Sequence, residues 1–320
     1  MTIVVPVFNE AEGLPRFARE LLATIDRIRD IAWTVLFVDD GSSDETRAAI
    51  RALNAGDGRF QGLALSRNFG KETAIAAGLR HARGDAVILM DGDLEHPPEV
   101  LASFIENWRA GYRIVFARRI DKETQSPLRR FYSQAFHRVF SAIAHPRIPA
   151  GAVDFLLMDR KAVDAMNQLG ERTRFSKGLY AWIGFRSTTV PFLVGERHAG
   201  QSSWRFRSLA RFALDGIVSF SSVPLKVWSY LGLLISVLAI LYGVLFVIRT
   251  LLFGADVPGF PTLVVSIMIF SGVQLISLGV LGEYVARIYD EVKGRPLFLV
   301  EETIGGTAEP QSEPHIRRIA

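Results

Sequence analysis

Asp91 and Asp93 stand on either side of a glycine in the stretch MDGDLEHPP, directly after the apolar run Ala86-Val87-Ile88-Leu89-Met90. That run is short, partly β-branched and preceded by Gly84-Asp85, which predicts a buried strand. Open α/β sheets bind ligands outside the carboxyl ends of their strands, so this turn lies where a site belongs. Two carboxylates spaced by one residue can reach one hard divalent cation through oxygen. The cation's other positions then suit substrate phosphates and water. The alternative is two turn aspartates that cap the following helix, and the pair alone does not decide between them.

The elements that must position this turn alternate along the first half of the chain. Apolar runs predict strands at 2–8, 33–38, 61–65, 86–90 and 113–117. Helical spacing fills the intervals, at 13–28, after the cap candidates Ser42, Ser43 and Asp44, at 71–81 and at 99–108. Strand alternating with helix at this spacing implies right-handed βαβ units and an α/β fold with a mostly parallel sheet. Three strand ends then place acids on one rim: Glu10, the pair Asp39 and Asp40, and the pair Asp91 and Asp93. A helix cap accounts for one such site but not for an acidic rim. Like charges brought together repel, and a bound cation is the simplest offset.

Composition narrows the classes. The chain has 320 residues, 49% of them hydrophobic, no cysteine and a net charge of +4. Its mean hydropathy of +0.21 is high for a soluble protein. Without cysteine there are no disulfides, thiolate metal sites or cysteine nucleophiles. Basic residues cluster beside apolar helices, which favours a membrane surface over nucleic acid as partner. The N-terminus enters a strand at once, with no basic or cleavable apolar segment, so no signal peptide is expected. No GxGxxG and no Walker loop is present, which argues against an ordinary dinucleotide or ATP site.

PVFNE, VDDGSSDET, RNFGKETAIAAGL and MDGDLEHPPE, in this order and spacing, resemble glycosyltransferase family 2 and its GT-A fold, a Rossmann-like sheet. The resemblance implies that Pro6, Phe8, Glu10 and Asp39 line the base pocket of a nucleotide sugar. It makes Asp91 and Asp93 ligands of Mg or Mn on the diphosphate, with Gly92 between them. The family commonly has glutamine where this chain has Glu95, which adds a third possible metal ligand. Arg118, beside Arg119, reads equally as a phosphate contact or as half of a solvated pair. AGAVDFLLMDR matches a segment whose aspartate, here Asp154, lies beside the acceptor and is proposed as catalytic base. The match is imperfect, with Val153 before Asp154 and Leu156 where an arginine falls. ERTRFSKGLYAWIGF and ERHAGQSSWRF resemble the bacterial polyprenyl-phosphate glucosyltransferases. There Arg174 and Lys177 are phosphate-contact candidates, and Arg197, with Gly200 and Ser202, belongs to a mobile loop that reaches a phosphate. The implied activity is transfer of a hexose, first glucose from UDP-glucose, to polyprenyl phosphate with inversion. A homo-oligomer is compatible with the resemblance.

The rest of the chain reads as membrane-facing. Residues 126–144 form an amphipathic pattern that fits packing on the sheet as well as a membrane interface. Residues 203–220 mix aromatic and basic side chains as a headgroup-layer helix does. The runs 231–248 and 261–281 approach the roughly 20 residues needed to span a bilayer, and their short connection makes them a hairpin. Arg205, Arg207, Arg211 and Lys226 precede it, and Arg287, Lys293 and Arg295 follow it. The positive-inside rule therefore puts both ends at the cytoplasmic face of the inner membrane. The expected division is a catalytic domain at 1–200, a juxtamembrane helix at 201–224, two spans within 225–288 and a cytoplasmic tail at 289–320. A processive polymer synthase fits less well, since two spans cannot build a channel alone and QxxRW is absent. A non-catalytic binding or flipping subunit is disfavoured by the intact acid set.

Overall fold

A computed structural model describes residues 1–93, 95–120, 152–172, 174–192, 223–253 and 259–306. The expected amphipathic helices at 126–144 and 203–220, and the loop holding Arg197, Gly200 and Ser202, lie outside the described residues. The chain divides into two units, Met1–Ala210 with Arg295–Ala320, and Arg211–Gly294.

In the first unit the helices are α1 (Leu14–Ile25), α2 (Thr46–Gly56), α3 (Lys71–His81), α4 (Val100–Arg109), α5 (Arg160–Gln168) and α6 (Ser176–Trp182). The strands are β1 (Thr2–Val7), β2 (Thr34–Asp39), β3 (Phe60–Leu65), β4 (Ala86–Leu89), β5 (Ile114–Arg119), β6 (Ala152–Asp159), β7 (Ser187–Phe192) and β8 (Val300–Ile304). They form one sheet in the order β7-β5-β6-β4-β1-β2-β3-β8. β1 pairs in parallel with both β2 and β4, and β2 with β3. The chain therefore winds outward from β1 to β3, then crosses back through α3 to β4 on the other side of β1. This reversal opens a crevice between the carboxyl ends of β1 and β4, the usual ligand position in such sheets.

The strands alternate as period-2 packing demands. Ile3, Val5 and Val7 share one buried cluster with Phe17 and Leu21 of α1 and with Leu101 and Phe104 of α4. Phe37 anchors this layer, stacked on Phe60 at 5.8 Å and edge-on to Phe17 at 6.1 Å. α3 is buried through small residues, Ala74, Ala76 and Ala77, which let it lie close to the sheet. A rigid sheet with a helix drawn tightly against it holds the rim in place.

Two features depart from simple βαβ repetition. β6 inserts antiparallel between β4 and β5, with Leu89 opposite Leu156. Continuing that register by two residues brings Asp154 level with Asp91. The second departure corrects the expected tail at 289–320: residues from Arg295 belong with the first unit, and Val300–Ile304 closes the sheet edge against β3. Edge strands carry unpaired backbone groups, and β8 satisfies those of β3. Arg51 binds Glu302 in a two-pronged pair at 3.1 and 2.6 Å, and Arg47 binds Glu301 at 2.9 Å.

The second unit contains α7 (Val223–Phe253) and α8 (Phe260–Val292), which include both expected spans. Among the described residues, Ser266–Val292 is long and apolar enough to cross a membrane, with mean hydropathy 1.5, and Gly232–Leu245 is apolar but shorter. None of the apolar window in Ser266–Val292 is buried, as a core helix of a soluble protein would be. Ser277 donates its hydroxyl to the Val273 carbonyl of its own helix at 2.9 Å.

Candidate active site

The rim begins with the turn after β1. Asn9 takes a left-handed conformation (φ 55°), which asparagine tolerates better than most residues. Its side-chain oxygen accepts the Ser43 N–H at 2.9 Å, and its own N–H donates to the Ser42 hydroxyl at 2.9 Å. Thr46 accepts the Glu10 N–H at 2.9 Å and donates its hydroxyl to Asp44 at 2.5 Å. The loops after β1 and β2 are thus laced together before any ligand arrives. Gly41 lets the β2 loop meet the next one: at φ +69° it lies so close to Arg67 that an added Cβ would stand 2.3 Å from its backbone carbon.

A cleft of about 280 Å³ opens at this rim, lined by Pro6, Phe8, Glu10, Asp40, Asn68, Gly70, Lys71, Asp91, Gly92 and Asp93 among others. Of the expected nucleotide contacts, Pro6, Phe8, Glu10, Asp91 and Gly92 meet there. Phe8 is 44% exposed, an aromatic face left uncovered at the mouth. A Cβ at Gly92 would stand 2.9 Å from the Glu10 carboxylate, which would have to swing aside to admit it. Burial, with the charges of Asp93 and Asp91 added, pushes the Glu10 carboxyl up to about 7, and Lys71 offsets only part of this. Negative charge is in excess at the turn.

Lys71 is the residue that sequence reasoning missed. Its ammonium lies 2.6 Å from Asp91 Oδ1. Burial works against the ammonium, but Asp91, Asp154 and Asp93 outweigh it and hold its pKa above the ordinary value. The signal was available: it is the first residue of α3, directly after Gly70 (φ +96°), on a loop that must end at the rim. His96 was also passed over. It is buried, stacked on Phe155 at 4.8 Å and edge-on to Phe192 at 6.0 Å. Its Nδ1 accepts the Asp91 N–H at 3.2 Å, so its proton sits on Nε2. Burial lowers its pKa despite Asp91 and Asp93, and the neutral ring steadies the acidic turn.

The remaining expected residues divide. Asp154 and Lys177 meet each other, with Nζ 3.5 Å from Oδ2. Asp154 Oδ1 is buried and has no hydrogen-bond partner among the described residues. Burial, with Asp154 and Glu72 nearby, pushes the Tyr180 phenol well above its ordinary value. Asp39 does not line the cleft. Its side chain is fully buried, accepting the Ser42 N–H at 2.9 Å and facing Arg47 Nε at 3.4 Å. Its neighbour Asp40 lines the cleft instead. Arg118 is exposed at the end of β5 and is not among the residues lining the cleft. Arg174 donates to the carbonyls of Leu169 and Met166, closing the end of α5 rather than facing the cleft. Glu95 does not complete a three-carboxylate centre. Its N–H turns back onto Asp93 Oδ1 at 3.1 Å, and among the described residues no three His, Cys, Asp or Glu side chains group to hold a metal.

Residues 2–166 match the family described as glycosyl transferase family 2. An uncharacterised glycosyltransferase of Synechocystis is 44% identical over 95% of this chain and 96% of its own length. A prophage-derived bactoprenol glucosyl transferase of Shigella flexneri is 42% identical over 96% of this chain and 99% of its own. A prophage bactoprenol glucosyl transferase homologue of Escherichia coli K12 is 40% identical over 94% and 98%. These matches cover nearly the whole of both chains. The protein is a glycosyltransferase, and the chain belongs to glycosyl transferase family 2.

Proposed function

We propose that this protein transfers glucose from UDP-glucose to a polyprenyl phosphate, undecaprenyl phosphate in a bacterium, with inversion, at the cytoplasmic face of the membrane. One juxtaposition carries the reading. Asp91, Asp93 and Asp154 converge on Lys71, whose ammonium all three charges favour, and the buried Oδ1 of Asp154 lacks a partner among the described residues. The names of the Shigella and Escherichia relatives support the sugar and the lipid acceptor. The apolar, unburied helix Ser266–Val292 supports a membrane location.

A divalent metal fits the residues present. Asp91 and Asp93 offer hard carboxylate oxygens, and burial, with their two charges added, raises the neighbouring Glu10 carboxyl, so a cation here would relieve part of that cost. Two aspartates would hold Mg or Mn, with diphosphate oxygens and water completing the shell. When bound, the ion neutralises the leaving diphosphate as a Lewis acid. The side chains do the rest. Lys71 is placed to follow charge onto the diphosphate, and Phe8 and Pro6 offer the base an apolar face. An acceptor phosphate oxygen forms the new bond to the anomeric carbon as the bond to the diphosphate breaks. The second pKa of a phosphate monoester is about 6, so near pH 7 the nucleophile is mostly dianionic and needs little base. Asp154 Oδ1 then serves to position the acceptor, taking a proton from the fraction that still carries one. Lys177, 3.5 Å from Asp154, is the phosphate contact on this side, and Arg197 is a second phosphate-contact candidate from the resemblance of its segment alone.

The test incubates the purified full chain with labelled nucleotide sugars, undecaprenyl phosphate and Mg or Mn. A labelled glucolipid from UDP-glucose, abolished by EDTA, is expected. A growing polymer, or UDP-glucose bound without any lipid product, would overturn the reading.

A further inference from the structure

Two ion pairs flank the reacting centre, Lys71 with Asp91 and Lys177 with Asp154. An unbroken path joins them. Lys71 and Glu72 are the first two residues of α3, and successive helical side chains diverge by about 100°. One therefore reaches Asp91 while the other reaches across to α6. There Glu72 Oε2 accepts the Ser176 N–H at 3.0 Å and also the Ser176 hydroxyl. Ser176 is 1% exposed, and its neighbour in sequence is Lys177. The link spans 104 residues of sequence and uses a charged acceptor for two donors, stronger than a neutral contact. No part of the acid set explains a carboxylate here, since Glu72 does not line the cleft.

We propose that Glu72 is a positioning residue that keeps the two sides of the centre in register. Through Ser176 it fixes Lys177 and Asp154 against the acceptor phosphate, while Lys71 beside it fixes the diphosphate end. This rests on the donor and acceptor assignments proposed above. Misplacement of reacting groups by about 1 Å costs on the order of 100-fold in rate, so a clamp remote from the bond being made has large leverage.

The test compares Glu72→Ala and Glu72→Gln with wild type in the purified full chain. It measures UDP affinity in Mn²⁺ by calorimetry, kcat/KM for undecaprenyl phosphate, the melting temperature, and hydrogen exchange of the 176–182 amides with and without UDP. For Glu72→Ala, UDP affinity should stay within about twofold while kcat/KM for the acceptor falls on the order of 10- to 100-fold. UDP should slow exchange at 176–182 in wild type and not in Glu72→Ala. Glu72→Gln keeps an oxygen for the Ser176 N–H and should remain within about threefold. Unchanged acceptor kcat/KM in Glu72→Ala would overturn the proposal. So would a loss shared equally by UDP affinity, melting temperature and turnover, which marks ordinary packing. If wild type makes no lipid product, the acceptor assignment fails, and the UDP-dependent exchange still judges Glu72.

Discussion

The acids after β2 and the acids after β4 look alike in sequence and live differently. Asp39 is fully buried and accepts from Ser42 and Arg47. Asp40 is 4% exposed, with its two oxygens taking the Phe69 and Gly70 N–H groups at 2.8 Å each. Burial still raises the Asp40 carboxyl, so those bonds hold it in place at some cost. Asp91, by contrast, keeps a side chain 24% exposed beside one lysine, and its charge and that of Asp93 add to the burial that raises the Glu10 carboxyl. One pair is consumed by tying loops together. The other is left with charge to spend on a ligand. What separates scaffold from site is the supply of donors, which strand-end position alone does not reveal.

The largest effect tests that division directly. Asp91→Ala should reduce turnover on the order of 1,000-fold or more, because the developing charge on the diphosphate loses its counter-ion's anchor. Its melting temperature should not fall, since like charges are relieved. Asp40→Ala should do the reverse at the level of the fold: two backbone N–H groups lose their acceptor, at about 2 kcal/mol, read by denaturant melting. Should Asp91→Ala melt early and Asp40→Ala melt like wild type, the comparison is backwards. Asp154→Asn follows in size. It keeps shape and one acceptor oxygen, and the phosphate nucleophile is already ionised, so turnover should fall on the order of 10- to 100-fold. A loss as complete as that of Asp91→Ala, with folding intact, would make Asp154 an obligatory base.

Glu10 gives the comparison a pH axis. Its folded pKa of about 7 lies above the ordinary 4.5, so between these values the folded chain holds a proton that the unfolded chain releases. Stability from this group therefore falls as pH rises from 4.5 to 7, and the penalty is complete above 7. Glu10→Gln removes the titration. In EDTA its melting temperature should gain on wild type by about 5–10 °C at pH 8 and by nothing near pH 4. Added Mn²⁺ should shrink the gap at pH 8 by supplying the missing positive charge. A pH-independent difference would place the shift elsewhere.

Much of this arrangement was legible beforehand, for physical reasons. The β1-to-β5 alternation rests on strong apolar periodicity, and α3 was expected with the bounds it has, Lys71–His81. The acidic turn stood out because three strand ends bring acids to one rim, whereas the Asp91–Asp93 pair alone reads equally as a helix cap. What was not legible depends on long-range pairing. β8 reads as tail because Val-Glu-Glu-Thr-Ile carries little apolar surface; its place depends on Arg47, Arg51 and the unpaired edge of β3. Asp39 was expected in the pocket and Asp40 was not, although neighbouring strand residues face opposite ways and only the strand's end decides which one reaches the rim. Lys71 resembled any helix-starting lysine until the crossover brought it to Asp91.

Glu95 supplies the smallest expected effect and the finest test of the distinction. It departs from the common glutamine of the family, and a carboxylate two residues from Asp93 invites a place in the metal shell. The geometry points the other way. The Glu95 N–H closes a turn onto Asp93 Oδ1, and that bond uses backbone, which any residue supplies. No three-carboxylate group forms among the described residues. Glu95→Gln, at a half-buried side chain outside the cleft lining, should therefore leave Mn²⁺ affinity and turnover within about twofold of wild type. Tenfold weaker Mn²⁺ binding would return Glu95 to the shell. It would also show that the β4 turn recruits a third acid only once the cation is present, so that scarcity of donors in the free protein understates how many acids the ion gathers.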